Sequence, residues 1–286
     1  MNYVIHAPAA GWKTSVQLPA SKSICNRALI LNALSYSPYE IRNLSDCDDT
    51  DVMIKALDSN DSHFDVKAAG TAMRFLTAFL SKIVGEWTIT GTERMKNRPI
   101  RILVDALNSV GAKIEYMEKE GLPPLRITGS ALQGGEISLD GSVSSQYISA
   151  LLMIAPTMEK GLVLHLTGKI VSKPYIHLTL QLMKQYGVDS KWVGSTIIVP
   201  PQPYRPLPYT VESDWSAASY WYEMMALSDH AEIELKGLFK QSLQGDAAGA
   251  ELFTQLGVSS DFQSDSVVLR KNGNVCKRLI YDFVNE

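Results

Sequence analysis

Apolar positions along this chain follow two alternating rhythms that recur in the same order. Helix-like segments begin near Ser21, Gly70, Ser144 and Asp214. Each soon becomes rich in Ala and Leu, Met or an aromatic: Arg27-Ala28-Leu29-Ile30-Leu31, Phe75-Leu76-Thr77-Ala78-Phe79-Leu80, Ile148-Ser149-Ala150-Leu151-Leu152-Met153 and Ala217-Ala218-Ser219-Tyr220-Trp221. The last three are followed by strand-like runs at Glu86–Gly91, Leu162–Gly168 and Ala231–Gly237. A second helix then closes near Gly111, Gly187 or Gly257, glycines that suit a left-handed helix cap. From first helix start to closing glycine is ~40 residues each time, the length of a repeated supersecondary unit.

The first copy is more divergent, with a strand predicted at Tyr39–Leu44 and a helix near Asp51–Leu57. Further strands are predicted at Lys113–Tyr116, Leu125–Thr128, Glu136–Leu139 and Thr196–Val199. The repeating unit therefore reads strand, helix, strand, helix and further strands. Pro200-Pro201-Gln202-Pro203-Tyr204-Arg205-Pro206-Leu207-Pro208 is the clearest punctuation and marks a candidate boundary, the alternative being a rigid surface loop within one domain.

At 286 residues the chain suffices for one large or two ordinary domains. With 45% hydrophobic and 20% charged residues it has the balance of a soluble globular protein. A formal charge of −3 supplies no global basic field for nucleic acid. Cys25, Cys47 and Cys276 form an odd set without CxxC spacing, which argues against a disulfide framework or zinc site and fits a reducing cytoplasm. The first eight residues lack a basic region followed by a long apolar run, so no signal peptide is expected. The longest apolar run, Ile148–Pro156, is too short to span a membrane.

Candidate chemistry is therefore local. Three stretches place Lys, Arg or an amide beside small hydroxyl residues or glycine where a helix should begin: Pro19–Arg27, Ala69–Arg74 and Ser142–Gln146. A cation in a first helical turn is unfavourable unless something anionic binds there. Free backbone N–H groups, hydroxyls and a cation together suit phosphate or carboxylate. Three such stretches suggest substrates with several negative charges. Taken singly, Lys22 and Arg27 also read as solvated charges, and Ser144 and Ser145 as helix caps, a role compatible with binding. Arg74 reads as a brace between loops or as a ligand-binding cation. His6, His63, His165, His177 and His230 show no metal-ligand spacing and read as structural or exposed. Asp46, Asp48, Asp49 and Asp51 lack the glycine and glutamate of a calcium loop and read as a solvated turn and helix start.

Several stretches together resemble the 5-enolpyruvylshikimate-3-phosphate synthases of the enolpyruvyl transferase family. They are Leu18-Pro19-Ala20-Ser21-Lys22-Ser23 with Asn26-Arg27, Ala69–Arg74, Arg94-Met95-Lys96-Asn97-Arg98-Pro99-Ile100, Ser142–Gln146, Val171-Ser172-Lys173-Pro174-Tyr175-Ile176 and Ser242-Leu243-Gln244-Gly245-Asp246. The resemblance implies an inside-out α/β prism of repeated βαβαββ units. It implies a complete half-domain of three units over residues 21–212, with 1–20 and 213–286 forming an incomplete second half and hinge crossings near 20 and 212. It implies transfer of the enolpyruvyl group of phosphoenolpyruvate to the 5-hydroxyl of shikimate-3-phosphate, through a tetrahedral intermediate, with phosphate released and neither cofactor nor metal needed. A cytoplasmic monomer of aromatic amino-acid biosynthesis, without nucleic-acid or membrane partners, is the expectation.

Roles follow at matching positions. Lys22 is expected to touch both substrates, and Ser23 and Arg27 to hold the shikimate hydroxyls and carboxylate. Ser144, Ser145 and Ser172 are expected at the shikimate phosphate, Gln146 between the ligands and Tyr175 against the shikimate. Gly70 and Arg98 are expected to hold phosphoenolpyruvate. Two residues depart from the family pattern: Ala68 stands where Asn is frequent, and Phe75 where Pro is frequent. The first removes an amide near the phosphoenolpyruvate site, and the second is expected to shift the helix behind Gly70. The stretch Tyr281–Glu286 ends just before the point where the family carries its catalytic aspartate, so the main catalytic carboxylates are expected beyond residue 286 and the 286-residue chain alone is expected to be inactive. The alternatives are a non-catalytic shikimate-3-phosphate-binding fragment and a UDP-N-acetylglucosamine enolpyruvyl transferase. Ser21-Lys22-Ser23, Arg27 and the lack of cysteine near Arg94–Arg98 argue against the latter.

Overall fold

The computed structural model describes Val4 and residues 11–281; His6, most of the N-terminal stretch and Asp282–Glu286 lie outside the described residues. The described residues divide into two compact units, one built from residues 22–211 and the other from 11–21 with 212–281.

The larger unit contains the same pattern twice. In the first copy, β3 (His63–Asp65), α3 (Gly70–Lys82), β4 (Gly85–Thr90), α4 (Glu93–Lys96), α5 (Arg101–Ser109), β5 (Lys113–Tyr116) and β6 (Leu125–Gly129) form a sheet of order β3-β4-β6-β5. In the second, β7 (Gly135–Asp140), α6 (Ser145–Ile154), β8 (Leu162–Thr167), α7 (Lys173–Gln185), β9 (Lys191–Val193) and β10 (Thr196–Val199) form the order β7-β8-β10-β9. Both begin with a parallel pair around a helix and end with antiparallel pairs. A third group has α1 (Lys22–Leu34), β2 (Ile41–Arg42), α2 (Asp48–Asp58) and β11 (Tyr209–Thr210). It keeps only the parallel pair β2–β11. The strand predicted at Tyr39–Leu44 is shorter because Asn43 turns into the left-handed region at φ 55° and donates to the Val211 carbonyl at 2.7 Å.

Helices occupy the middle of this unit. Eleven of the 13 residues of α3 and nine of the ten of α6 are buried, and the two pack on each other and on α1. A helix apolar on all faces has to be enclosed, and here the sheets lie outside it. The Pro-rich stretch is fastened to this unit: Tyr204 is buried and donates to the Met153 carbonyl at 2.6 Å, and the Arg205 N–H donates to the Tyr186 carbonyl at 2.8 Å. The chain leaves the unit after Val211.

The smaller unit repeats the pattern with its first strand drawn from far upstream. Strands β1 (Trp12–Gln17), β12 (Ala231–Lys236), β13 (Leu256–Phe262) and β14 (Ser266–Val275) form the order β1-β12-β14-β13, with β1 and β12 parallel. Helices α8 (Trp215–Leu227) and α9 (Gly249–Thr254) complete it. Trp215, Tyr222, Met225, Ile233, Leu235, Val258 and Leu269 form its core. Gly111 and Gly187 follow α5 and α7 at φ 105° and 83°, as helix-closing glycines do. Gly257 differs: α9 stops at Thr254, and Gly257, at φ 89°, sits at a register shift inside β13.

One close approach fixes how the first sheet sits on α3. A methyl on Gly129 would strike the Ile83 carbonyl oxygen and lie 2.6 Å from that of Leu80, both backbone atoms without freedom to swing away. Gly129→Ala is expected to cost about 1–3 kcal/mol of stability, seen as a lowered urea midpoint.

Candidate active site

The predicted site residues all belong to the larger unit. Lys22 opens α1, Gly70 opens α3, Ser144 caps α6 and Ser172 caps α7. None of these four helices has an acidic residue in its first turn. By contrast α2 has Asp48, Asp49 and Asp51 there. An N-terminus carries partial positive charge, so four starts without acid leave that charge to be met from elsewhere.

One chain of contacts links three of those starts. Lys22 Nζ lies 3.9 Å from Asp49 Oδ2. The other oxygen, Asp49 Oδ1, accepts from the Thr71 backbone N–H at 3.1 Å. Thr71 Oγ1 in turn accepts from Gln146 Nε2 at 3.2 Å. Asp49, read from sequence as part of a solvated turn, is therefore the carboxylate that caps α3 and faces Lys22.

Gly70 and Arg98 are in direct contact. A methyl on Gly70 would overlap Arg98 Nη1 and lie 2.9 Å from Cζ and 3.0 Å from Nη2. Arg74 braces the same two loops. Its Nη1 donates to the Gly70 carbonyl at 3.1 Å and its Nη2 to the Pro99 carbonyl at 3.2 Å. Tyr147 Oη also donates to the Pro99 carbonyl, at 2.6 Å, and the Arg74 guanidinium lies 5.9 Å from the Tyr147 ring centre. Burial lowers the pKa of Arg74, with Tyr147 opposing the shift. Arg98 is exposed.

Arg27, like Arg74, is a buried cation, 3% exposed. Nε donates to Thr179 Oγ1 at 2.7 Å, Nη1 to the Ser23 carbonyl at 2.8 Å and Nη2 to Ser149 Oγ at 3.0 Å. The guanidinium lies 5.3 Å from the Phe75 ring centre and 6.0 Å from that of Tyr175. Burial lowers its pKa to about 10, with Tyr175 opposing, so the side chain stays charged at neutral pH. Phe75 thus packs beside Arg27, and α3 runs unbroken from Gly70 to Lys82 despite the departure from Pro. Ala68 is exposed.

Ser144 is exposed and its Oγ accepts from the Gln146 N–H at 3.3 Å, so the capping role is present. Ser145 is buried beside it. Ser172 adopts a left-handed backbone at φ 55° without a side-chain cap bond, and Tyr175 follows in the first turn of α7. Hydroxyls, free helix starts and cations of one unit can together bind an anion with more than one acidic group.

The model of EPSP synthase (3-phosphoshikimate 1-carboxyvinyltransferase) matches residues 8–60 and 57–279. The chain belongs to the EPSP synthase family. It is 59% identical to the 3-phosphoshikimate 1-carboxyvinyltransferase of Bacteroides fragilis strain YCH46, over all of this chain and 70% of that protein. Identity to the Vibrio vulnificus enzyme is 40%, over 89% of this chain and 66% of that one. A solved EPSP synthase from Acinetobacter baumannii shares the fold with a TM-score of 0.76 at 18% identity, over 92% of this chain and 66% of that chain. The chain thus spans about two thirds of the length of these relatives. EPSP synthases transfer the enolpyruvyl group of phosphoenolpyruvate to shikimate-3-phosphate in the shikimate pathway. Among the described residues no helix is long and apolar enough to cross a membrane.

Sequence reading missed the contacts that Asp49, Thr71, Ser149 and Thr179 make with the candidate residues of this EPSP synthase family member. Asp49 reaches Thr71 across 22 residues, and Arg27 reaches Thr179 across 152. Nothing local reports such pairs. A usable signal existed for Ser149, a hydroxyl in an otherwise apolar helical run.

Gly70→Ala is expected to leave the urea midpoint nearly unchanged, because the atoms it meets are the swinging end of Arg98. It is expected to displace that guanidinium. In a longer EPSP synthase carrying this unit, the Michaelis constant for phosphoenolpyruvate should rise while shikimate-3-phosphate affinity holds. An unchanged Michaelis constant would overturn the expectation that Gly70 and Arg98 hold phosphoenolpyruvate.

Proposed function

We propose that the larger unit binds shikimate-3-phosphate, and that in the complete enzyme it presents the 5-hydroxyl to phosphoenolpyruvate for enolpyruvyl transfer. The observation that carries this reading is Arg27: a buried guanidinium with no carboxylate at ion-pair distance among the described residues. Buried charges are normally paired, so the missing anion is assigned to the ligand carboxylate. Ser23 stands beside it for the ring hydroxyls and Tyr175 against the ring. Ser144, Ser145 and Ser172 take the phosphate at the starts of α6 and α7. Lys22 and Gln146 lie between the two ligands, and Gly70 and Arg98 take phosphoenolpyruvate, Arg98 through a planar fork suited to carboxylate or phosphate. The chemistry runs by addition and elimination through a tetrahedral intermediate. The residues of this unit bind and orient; Lys22 is the one cation placed to meet both anions. Monomeric, cytoplasmic action belongs to the same proposal.

The 286-residue chain alone is proposed to bind its first substrate without turnover. Proton transfer by positioned carboxylates typically contributes about 10²–10⁴ in rate. The two carboxylates of the smaller unit nearest in kind are engaged otherwise: Asp214 Oδ1 caps α8 by accepting from the Ser216 N–H at 2.7 Å, and Asp246 accepts from the Ser216 hydroxyl. A phosphate-release assay with both substrates is expected to show no turnover. Clear turnover, with host enzyme excluded, would overturn the inactivity and direct attention to Asp214 and Asp246.

Lys22→Ala and Arg27→Ala are each expected to weaken shikimate-3-phosphate binding by about 1.5–3 kcal/mol, roughly tenfold to a hundredfold. Calorimetric titration measures both. Unchanged affinity in both variants would sink the assignment of α1 to the anion site.

A further inference from the structure

The proposal that follows rests on the assignment of Arg27 to the carboxylate of shikimate-3-phosphate. A buried arginine is usually held by a carboxylate, which cancels its charge. Here the edge of the guanidinium formed by Nε and Nη2 meets two neutral oxygens instead, Thr179 Oγ1 at 2.7 Å and Ser149 Oγ at 3.0 Å. Those oxygens lie 2.8 Å apart, hydrogen-bonded to each other, so that they face the guanidinium side by side. Both residues are fully buried.

The protons of the pair have a single consistent arrangement. Thr179 donates its hydroxyl to the Tyr175 carbonyl at 2.8 Å. It has no second proton, so the bond between the two hydroxyls must run from Ser149 to Thr179. Ser149 and Thr179 then each present a lone pair to Arg27. Of the five guanidinium N–H groups, Thr179, Ser149 and the Ser23 carbonyl take three. One remains on each terminal nitrogen, and those two nitrogens share the edge on which a carboxylate forks.

We propose that Ser149 and Thr179 are positioning residues, a neutral stand-in for a carboxylate that aims Arg27 without cancelling its charge and so reserves that charge for the acid group of the substrate. The same clamp ties α7 to α6 through the Ser149–Thr179 bond, and its last bond, from Thr179 to the Tyr175 carbonyl, reaches the first turn of α7. A carboxylate at position 179 would aim the guanidinium equally well and remove its reason to bind an anion.

The test compares shikimate-3-phosphate with its carboxylate methyl ester, by calorimetric titration against the full chain and its variants. For the wild type, the acid should bind at least about tenfold tighter than the ester. In Thr179→Val and in Ser149→Ala that preference for the acid should shrink several-fold, and in Thr179→Asp it should vanish. Thr179→Ser, which keeps the oxygen, should restore it. The acid-to-ester ratio is insensitive to the fraction of folded protein, so a loss of stability alone does not move it. A preference for the acid that persists unchanged in Thr179→Val, Ser149→Ala and Thr179→Asp overturns the clamp while leaving the substrate assignment standing. A wild type that binds neither ligand, or both equally, overturns the assignment of Arg27 and the clamp with it.

Discussion

Several helices of one unit start without an acidic residue in their first turn, and this charge has to be tolerated in the free protein. Each start carries roughly half a positive charge, and Lys22, Arg27, Arg74 and Arg98 add whole ones nearby. The chain supplies little to offset them. Asp49 is the main internal counter-charge, placed between Lys22 Nζ and the Thr71 N–H. It serves the N-terminus of α3, and its 3.9 Å spacing from Lys22 is loose enough to leave that amine available. A closer, bidentate partner would hold Lys22 and compete with any phosphate or carboxylate arriving from solvent.

The inside-out packing is what makes such an arrangement possible. With α3 and α6 enclosed, their flanks must be apolar, and their polar residues must be partnered within the unit. Thr77 and Ser81 do this by donating to carbonyls one turn back, Met73 at 2.6 Å and Ala78 at 2.7 Å. Ser149 does it through Arg27 and through Thr179 of α7. Arg74 does it by holding the Gly70 and Pro99 carbonyls. Of the ten residues of α6 only Gln146, in its first turn, is not buried, and the candidate site residues gather at or near the starts of these helices. The sheets contribute no predicted site residue; they close the outside and set the spacing of the helix starts.

How much of this could be read from the chain depended on whether the signal was local. The repeat was legible because each copy brings its own periodicity, turn glycines and strand runs; even so, Gly257 followed a strand bulge rather than a helix end, since both demand the same positive φ. The helix starts that carry cations or hydroxyls were legible as helix starts, as in Lys22-Ser23 and Ser144-Ser145-Gln146. It was illegible where two elements far apart in sequence define a residue's work. Asp49 looks like any acid in a first turn until Thr71 and Lys22 are seen around it. Phe75 looked like a disturbance of α3, yet it lies against Arg27 and supplies a face for the guanidinium, worth about 0.5–2 kcal/mol in such contacts.

The cations of the site divide by how their hydration is handled. Arg27 has already lost its water on folding, and the hydroxyl pair and rings around it hold one orientation. An anion meeting it gains strong, preorganised bonds and pays no further for ordering the side chain. Lys22 and Arg98 remain exposed and keep both their water and their rotamer freedom. An anion meeting them has to order long side chains, so each contributes less on its own and more when a second charge is already in place. Under the proposed assignment, such a site would fix one acid group rigidly and gather the others adaptively. That division follows from burial alone: the same residue type, Arg, is a fixed anchor at position 27 and an adjustable clamp at position 98.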